Sequence, residues 1–214
     1  DYGMDKPFIR KQDLFTQYGV AAAYQAMKQA GLVSQGEGQN IDPFRLGVYF
    51  GSGIGGFATQ YREIAKMIED PSGQWISPLF IPTMISNIAA GHIAIMHHAE
   101  GPCLDIVTAC ATSTNAMGEA FRAIRNGYAD AIITGGCENA TIPIGIVGFA
   151  NAKALSRATD PKYASLPFNA NRAGFVMADG SAALVLEEYE HAKARGAQIL
   201  GEMVGYGNTC DAYH

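Results

Sequence analysis

Two kinds of apolar pattern alternate along the chain. Short apolar runs predict buried β-strands, and apolar residues that recur every three or four positions predict amphipathic helices. Strands are predicted at residues 46–50, 102–107, 129–134, 175–178, 182–187 and 199–207. Helices are predicted at residues 14–30, 57–70, 82–98 and 188–195 and after residue 110, with a loop and short helix over 141–154. This alternation indicates a layered α/β fold. No linker or internal repeat divides the chain, so residues 1–214 are predicted to lack an internal domain boundary.

Capping and breaking residues mark several element ends. Asp13 is placed to cap a helix that Gly31 ends, and Pro82 suits the first turn of another. Residues 1–10 are predicted to be irregular because Pro7 interrupts them. One side of the helix over 57–70 is apolar and is formed by Tyr61, Ile64, Ala65 and Ile68.

A glycine-rich turn follows the strand over 46–50. Residues 51–56 match the pattern G-x-G-x-x-G, which is the fingerprint of dinucleotide-binding proteins. That fingerprint also needs an acidic residue at the end of the next strand, whereas Glu69 and Asp70 end a helix here. We therefore prefer a turn that brings the backbone close to a different ligand or to another chain segment. A dinucleotide-binding module without enzymatic activity remains an alternative, which nucleotide titration would test.

Cys110 stands where a predicted strand gives way to a predicted helix. A thiol there would face the unpaired N–H groups of the first helical turn and the positive end of the helix dipole. Both favour the thiolate, which is the nucleophilic form, and the same N–H groups could hold an oxyanion during acyl transfer. The alternative is a small buried cysteine with a packing role, which is common.

Composition narrows the class of protein. The chain has 214 residues, of which 48 % are hydrophobic and 16 % charged, as is typical of a globular protein with a sizeable core. A net charge of −5 gives no reason to expect nucleic acid or an anionic membrane as a partner. No apolar run reaches membrane-spanning length, and residues 1–11 do not form a signal peptide.

Cysteines and histidines are spaced without a metal-binding motif. The four cysteines lie outside any C-x-x-C spacing, which indicates reduced thiols in the cytoplasm rather than disulfides or a zinc site. His92, His97 and His98 lie on or near one predicted helix, but His92 and His98 lack the i, i+4 spacing and an acidic neighbour. We therefore expect no metal and no cofactor.

A series of short motifs, centred on Thr108-Ala109-Cys110 and followed by Gly118 and Gly135-Gly136, resembles the β-ketoacyl-acyl-carrier-protein synthases, most of all synthase II. The resemblance covers the whole chain and implies a thiolase-like layered α/β/α/β/α sandwich built from two related halves, here mainly the N-terminal half. The further matching motifs are Gln17-Tyr18-Gly19, residues 51–56, Ala90-Gly91-His92, Gly148-Phe149, Ala154-Leu155-Ser156, Leu184-Val185-Leu186-Glu187 and Asp211-Ala212-Tyr213-His214.

The same resemblance implies that part of the machinery lies elsewhere. Members of the family are considerably longer and carry two catalytic histidines, a lysine and a glycine-rich loop in their second half. None of the five histidines here matches either catalytic histidine motif. We therefore expect a fragment rather than a complete enzyme, and negligible condensation by the isolated chain.

The implied reaction is decarboxylative condensation in fatty-acid elongation. Cys110 would take an acyl chain from acyl carrier protein as a thioester, and a carbanion formed by decarboxylation of malonyl-acyl-carrier-protein would attack that thioester. Alternatives are a polyketide-type ketosynthase and a non-catalytic truncated fragment. A cysteine hydrolase is a further alternative, but the Gly-x-nucleophile-x-Gly elbow is absent.

The resemblance also implies the partners and the remaining site residues. Ile54, Phe80 and Phe149 match residues of the acyl pocket, with ordinary core packing as the alternative. Arg10, Lys11 and Lys153 match positions that dock acyl carrier protein, with solvated surface charge as the alternative. The family is a homodimer whose sheets join through the strand here at 102–107.

Three departures from the family pattern affect loops rather than the nucleophile. Gln74-Trp75 stands where many members have a basic pair, which weakens the docking patch. The other two departures lie in residues 169–175 and at Ala178-Asp179-Gly180-Ser181.

Overall fold

The computed structural model describes residues 2–213, which form one β-sheet with helices packed on both faces. The strands are β1 (Leu46–Gly51), β2 (Cys103–Leu104), β3 (Ala131–Glu138) and β4 (Gly180–Glu187). The helices are α1 (Lys6–Lys11), α2 (Leu14–Ala30), α3 (Phe57–Glu69), α4 (Phe80–Met84), α5 (Ile88–Met96), α6 (Thr112–Arg125), α7 (Pro143–Asn151) and α8 (Tyr189–Ala194). Single-turn 3-10 helices lie at Pro43–Arg45, Ala109–Ala111 and Pro161–Tyr163. The predicted α/β class is confirmed. His214, part of one motif quoted above, lies outside the described residues.

The sheet has the order β2-β1-β3-β4. Strand β1 runs parallel to both β2 and β3, and β4 runs antiparallel to β3. The carboxyl ends of three parallel strands therefore meet at one edge, where ligands of open α/β sheets commonly bind. The register pairs Gly51 at the end of β1 with Gly136 of β3.

The core lies on both faces of the two central strands. Val48, Phe50 and Ile133 pack with α2 and α5 on one face. Tyr49 and Ile132 pack with α6 on the other. This alternation follows from the two-residue period of a strand, and burial on both faces explains why β1 and β3 read as continuous apolar runs.

Residues 6–11 are helical, so the expectation of an irregular segment over 1–10 is wrong from residue 6 onward. Pro7 lies in the first turn of α1, where its missing N–H is tolerated, and the Asp5 carboxylate accepts a hydrogen bond from the Phe8 N–H at 2.7 Å. Helix α2 is as predicted. Asp13 caps it, and Gly31 ends it in the left-handed conformation.

The single helix predicted over 82–98 is in fact two, α4 and α5. The backbone of Ile85 is extended, with φ −67° and ψ 140°, and this interrupts the helix. The Met84 carbonyl, which a continuous helix would use, accepts a hydrogen bond from the Gly56 N–H at 3.0 Å. The glycine-rich turn therefore stabilises the break.

Three predicted strands are shorter than expected or absent. The segment over 102–107 pairs with β1 only as the two-residue β2, and the segment over 175–178 contributes one bridge, from Phe175 to Leu155. Residues 199–207 join no strand of the described sheet, and the side chains of Leu200 and Val204 are 76 % and 82 % exposed. An apolar pattern cannot form a strand without a neighbouring strand to pair with.

The polar side of α3 is buried and its apolar side is exposed. The Asp13 carboxylate accepts hydrogen bonds from the Thr59 N–H and hydroxyl at 3.0 and 2.6 Å, and Glu63 accepts one from the Ser77 N–H at 2.9 Å. These contacts fix the orientation of the helix. Its exposed apolar side chains are Tyr61, Ile64, Met67 and Ile68.

Candidate functional site

Cys110 lies in the single-turn 3-10 helix Ala109–Ala111, which leads directly into α6. Its side chain is exposed, so a buried packing role does not fit. The thiol stands immediately before a helix, as predicted. Strand β2 ends at Leu104, however, so residues 105–108 separate the strand from the turn.

The backbone of this turn is held in an unusual conformation. Ala109 has φ 50°, in the left-handed region, where a side chain costs about 1–2 kcal/mol. The Thr108 carbonyl accepts a hydrogen bond from the Ala111 N–H at 3.0 Å, and the Thr108 N–H donates one to the Thr112 hydroxyl at 2.9 Å. Thr108 therefore holds the turn from both of its backbone groups.

Two glycines allow the first turn of α6 to lie directly on the sheet. A Cβ at Gly51 would come within 2.4 Å of the Thr112 methyl group and 2.1 Å of the Ile106 carbonyl oxygen. A Cβ at Gly136 would come within 2.3 Å of the Ser113 hydroxyl. Since the two glycines are paired in register, they leave one shared space beneath the helix N-terminus.

The glycine-rich turn packs against protein, in agreement with the preferred interpretation. A Cβ at Gly55 or Gly56 would meet the backbone of residues 83–86 at 2.7–3.1 Å. That segment packs directly on the backbone of the turn. The structure therefore gives no support to the alternative of a dinucleotide-binding module.

A carboxylate from the neighbouring strand β3 holds the glycine-rich turn. Glu138, at the end of β3, accepts hydrogen bonds from the Ser52 hydroxyl at 3.1 Å and the Gly53 N–H at 2.8 Å. Burial raises the pKa of Glu138, and burial also raises the pKa of Asp105, which follows β2. A Cβ at Gly53 would lie 3.8 Å from the Ala109 Cα, so this turn reaches the single-turn helix that carries Cys110.

The other cysteines differ from Cys110 in their surroundings. Burial raises the pKa of the Cys137 thiol, and the nearby Glu138 and Asp105 act in the same direction. Cys103 is exposed on β2, but partial desolvation and the nearby Asp105 raise the pKa of its thiol. Both effects disfavour the thiolate, so Cys103 and Cys137 are poor nucleophiles. Cys210 is exposed in the segment that follows α8.

The three predicted pocket residues lie on three different elements. Ile54 belongs to the glycine-rich turn and is 38 % exposed, and Phe80 is half-buried at the start of α4. Phe149, near the end of α7, is also 38 % exposed and packs edge-to-face on Phe175 with 5.2 Å between ring centroids. The pocket role of these residues stays a prediction.

The predicted docking residues are all at the surface. Arg10 and Lys11 form the last turn of α1, and Lys153 follows α7. The Lys11 carbonyl accepts a hydrogen bond from the Thr83 hydroxyl at 3.2 Å, which connects α1 to α4. Their role in docking is likewise a prediction that the structure does not test.

The departure at Asp179 has a structural explanation. Its carboxylate accepts hydrogen bonds from the Asn139 amide at 2.8 Å, the Ala140 N–H at 2.9 Å and both the N–H and hydroxyl of Thr141 at 3.0 and 2.9 Å. Burial would raise the pKa of Asp179, but these hydrogen bonds lower it. Asp179 thus fixes the connection from β3 to α7, the helix that carries Phe149.

Several polar side chains at the site were not predicted from the sequence. Glu138 holds the glycine-rich turn, and Asn115 and Tyr206 form hydrogen bonds that end at Thr108. For Glu138 a signal existed, since a carboxylate directly after a buried strand must find donors. For Tyr206 and Asn115 no periodic pattern connects two polar residues so distant in sequence.

Residues 2–213 contain neither a candidate metal cluster nor a candidate membrane-spanning helix. No group of three or more histidine, cysteine or acidic side chains in this range is arranged to hold a metal ion. No helix in the same range is long and apolar enough to cross a membrane.

The turn that carries Cys110 lies at a helix N-terminus in a sheet of mostly parallel strands, as expected for the condensing-enzyme family that the sequence resembles. The family model described as Beta-ketoacyl synthase, N-terminal domain, matches residues 3–192. The chain belongs to this family. Among its relatives, 3-oxoacyl-[acyl-carrier-protein] synthase 2 of Vibrio cholerae is 47 % identical over 212 residues, which is 99 % of this chain and 50 % of the relative. The protein of the same name from Synechocystis is 46 % identical over the same share of each chain.

Solved structures confirm the thiolase-like fold. A β-ketoacyl synthase from Burkholderia phymatum matches with a TM-score of 0.84 and 31 % identity, over 98 % of this chain and 50 % of the other. A ketosynthase described in complex with its type II PKS acyl-carrier protein, bound to the hexaketide, matches with a TM-score of 0.86 and 32 % identity, over 94 % and 50 %. The chain therefore spans about half the length of its relatives.

Proposed function

We propose that this chain carries the acyl-accepting nucleophile, Cys110, of a 3-oxoacyl-acyl-carrier-protein synthase that elongates fatty acids. The observation that carries the proposal is the exposed Cys110 thiol on a single turn directly before α6. The relatives named 3-oxoacyl-[acyl-carrier-protein] synthase 2, at 46–47 % identity, support the substrate class. Cys103 and Cys137 are less suited to act as the nucleophile, because their surroundings raise the pKa of each thiol.

The proposed chemistry has two stages. The Cys110 thiolate attacks the carbonyl carbon of an acyl-carrier-protein thioester, the carrier thiolate leaves, and the acyl group stays on Cys110. Decarboxylation of a malonyl-carrier-protein then gives a carbanion, which attacks the acyl carbon and releases Cys110. The Cys110 backbone N–H would stabilise the oxyanion in the first stage, in the manner of preorganised backbone donors. We propose that the decarboxylating histidines lie outside residues 1–214.

The partner and substrate contacts are part of the same proposal. Ile54, Phe80 and Phe149 line the acyl pocket, and Arg10, Lys11 and Lys153 dock the acidic acyl carrier protein. A relative in structure was solved in complex with its acyl-carrier protein, which supports this partner. Residues 1–214 form the N-terminal part of one ketosynthase domain, and the protein works in the cytoplasm.

We further propose a homodimer joined at β2. This strand lies at the edge of the sheet and pairs with β1 on one side only. Leu104 and Val107 are 50 % and 51 % exposed along the same segment. An apolar strand edge of this kind is a template for pairing with another strand.

Acylation of the thiol tests the proposal. The protein with its natural flanking sequence is incubated with acyl carrier protein that bears a saturated acyl thioester, and the modified cysteine is located by peptide mass spectrometry. We expect the acyl group on Cys110, its loss in Cys110→Ala and its retention in Cys210→Ala. Acylation spread equally over all four cysteines, or none at all, would contradict the proposal.

The alternatives are less well supported. A polyketide-type ketosynthase matches in structure at 32 % identity, well below the fatty-acid relatives. A cysteine hydrolase needs a histidine beside Cys110, but His92 packs on Phe8, with 5.0 Å between ring centroids, and His191 lies 2.6 Å from Glu187. His97 is largely buried, and burial lowers its pKa.

A further inference from the structure

The segment after α8 contacts the helix that follows Cys110. The Tyr206 hydroxyl donates a hydrogen bond to the Asn115 side-chain oxygen at 2.7 Å. The Asn115 amide nitrogen in turn donates one to the Thr108 hydroxyl at 2.8 Å. Thr108 lies two residues before Cys110. A continuous chain of side-chain hydrogen bonds therefore runs from Tyr206 to residues 108–111, the nucleophile turn of the proposed function.

The Tyr206 ring is fixed on α6 by packing as well. A Cβ at Gly118 would come within 2.2 Å of the ring, so glycine leaves the space in which it lies. The Arg122 guanidinium stands 4.9 Å from the ring centroid and also donates to Glu119 at 2.8 Å. Asn115, Gly118 and Arg122 follow one face of the helix at i, i+3 and i+7. Gly118 and Arg122 thus fix the position of the Tyr206 ring on α6.

The hydrogen-bond chain from Tyr206 ends at Thr108, next to the strained residue of the turn, Ala109. Thr108 directly precedes Ala109, whose φ of 50° is unfavourable for a residue with a side chain. A strained backbone persists only when its surroundings determine it fully. Thr108 supplies three such restraints, through its N–H, its carbonyl and its hydroxyl. Only the hydroxyl restraint depends on Tyr206.

We propose that Tyr206 is a positioning residue for Cys110, acting through Asn115 and Thr108. The inference rests on the proposed function, in which Cys110 is the reacting group. Removal of the Tyr206 hydroxyl frees the Asn115 amide to rotate, and the Thr108 hydroxyl then loses its oriented donor. The nucleophile turn keeps its fold but holds the thiol less rigidly before α6.

Alkylation by iodoacetamide tests this, with site-resolved rates measured by mass spectrometry on the protein with its natural flanking sequence. In Tyr206→Phe we expect the Cys110 rate to fall about threefold to tenfold, the equivalent of one net hydrogen bond. The thermal unfolding midpoint of the variant should stay unchanged. Tyr128→Phe, which removes a hydroxyl from a side chain 68 % exposed, is the matched control.

A double-mutant cycle separates a relay from two independent effects. Asn115→Ala should slow Cys110 by a similar factor, and Tyr206→Phe should add no further loss in that background. An unchanged or faster Cys110 rate in Tyr206→Phe overturns the inference, as do additive losses or a slower Cys110 accompanied by a lower unfolding midpoint. If Cys110 is alkylated as expected but never acylated by acyl carrier protein, the proposed function fails while the positioning role stands.

Discussion

The Gly53 N–H donates a hydrogen bond to the Glu138 carboxylate at 2.8 Å, across the gap between the turn after β1 and the end of β3. The contact leaves no room for a side chain, because a Cβ at Gly53 would lie 2.7 Å from the same carboxylate oxygen. This hydrogen bond fixes the turn that carries Ile54 to β3, the strand that pairs with β1.

Gly53→Ala should therefore lower the free energy of unfolding by about 1–3 kcal/mol, since the carboxylate must move and leave its donor. Urea unfolding measures the change. Gly91→Ala on α5 is the matched control, because nothing lies within 4 Å of its added Cβ and alanine favours a helix. In a Glu138→Ala background the cost of Gly53→Ala should shrink. An equal cost in both backgrounds would show that the clash lies elsewhere.

His97 should make the protein less stable in mild acid. Burial lowers the pKa of His97 to about 4, and the neighbouring His98 acts in the same direction. The unfolded chain takes up this proton near its ordinary value of about 6.5, so stability falls as the pH drops from there towards 4, by up to about 3 kcal/mol. Urea unfolding measures the free energy of unfolding at pH 7 and at pH 4.5. The decrease between the two pH values should be smaller for His97→Asn than for the exposed control His98→Asn. Equal losses would contradict this assignment.

The Glu187 carboxylate at the end of β4 is held by the Arg195 guanidinium. Arg195 donates to it at 2.7 and 2.6 Å, and the side chains of the two are only 13 % and 9 % exposed. Arg195→Met leaves a buried charge with fewer partners and should cost about 3 kcal/mol in thermal or urea unfolding. Lys193→Met removes an exposed partner of Glu190 and should cost well under about 1 kcal/mol. Similar effects of the two changes would refute this account.

The stability effect of Arg195→Met should depend on pH, because Glu187 titrates in the acid range. Burial alone would raise the pKa of Glu187, but Arg195 and His191 lower it below its ordinary value of 4.5. A carboxyl with a lowered pKa contributes stability that is present above the ordinary value and lost as the pH falls further. The difference between wild type and Arg195→Met should therefore narrow below about pH 4.

Local signals predicted much of this fold, and tertiary pairing accounts for what they missed. Helix α2 follows from a capping aspartate, an apolar period and a terminal glycine, all of which act within the segment. The position of Cys110 before a helix follows in the same way. Residues 199–207 have a strand pattern but find no strand to pair with in the described sheet. An apolar pattern indicates that burial of a segment is favourable, but it does not identify the element against which the segment packs.

Polar contacts at the site were harder to predict for a related reason. Tyr206 and Asn115 are 91 residues apart, and neither has a neighbour whose spacing indicates a partner. The apolar side of α3 shows the same limit, because Asp13 and Glu63 decide its orientation through hydrogen bonds that hydropathy does not report. The sequence therefore predicts elements better than the side-chain contacts that orient them.

The left-handed backbone of Ala109 sets stability and reactivity against each other in this protein. Glycine would adopt that conformation without a steric penalty, so selection for heat resistance alone is expected to favour it there. The same replacement would give the chain more freedom one residue before the thiol. Consensus or thermostability engineering of this protein should therefore leave Ala109 untouched if Cys110 has the proposed role, because a gain in melting temperature at that position would come from relaxing the turn that holds the proposed nucleophile.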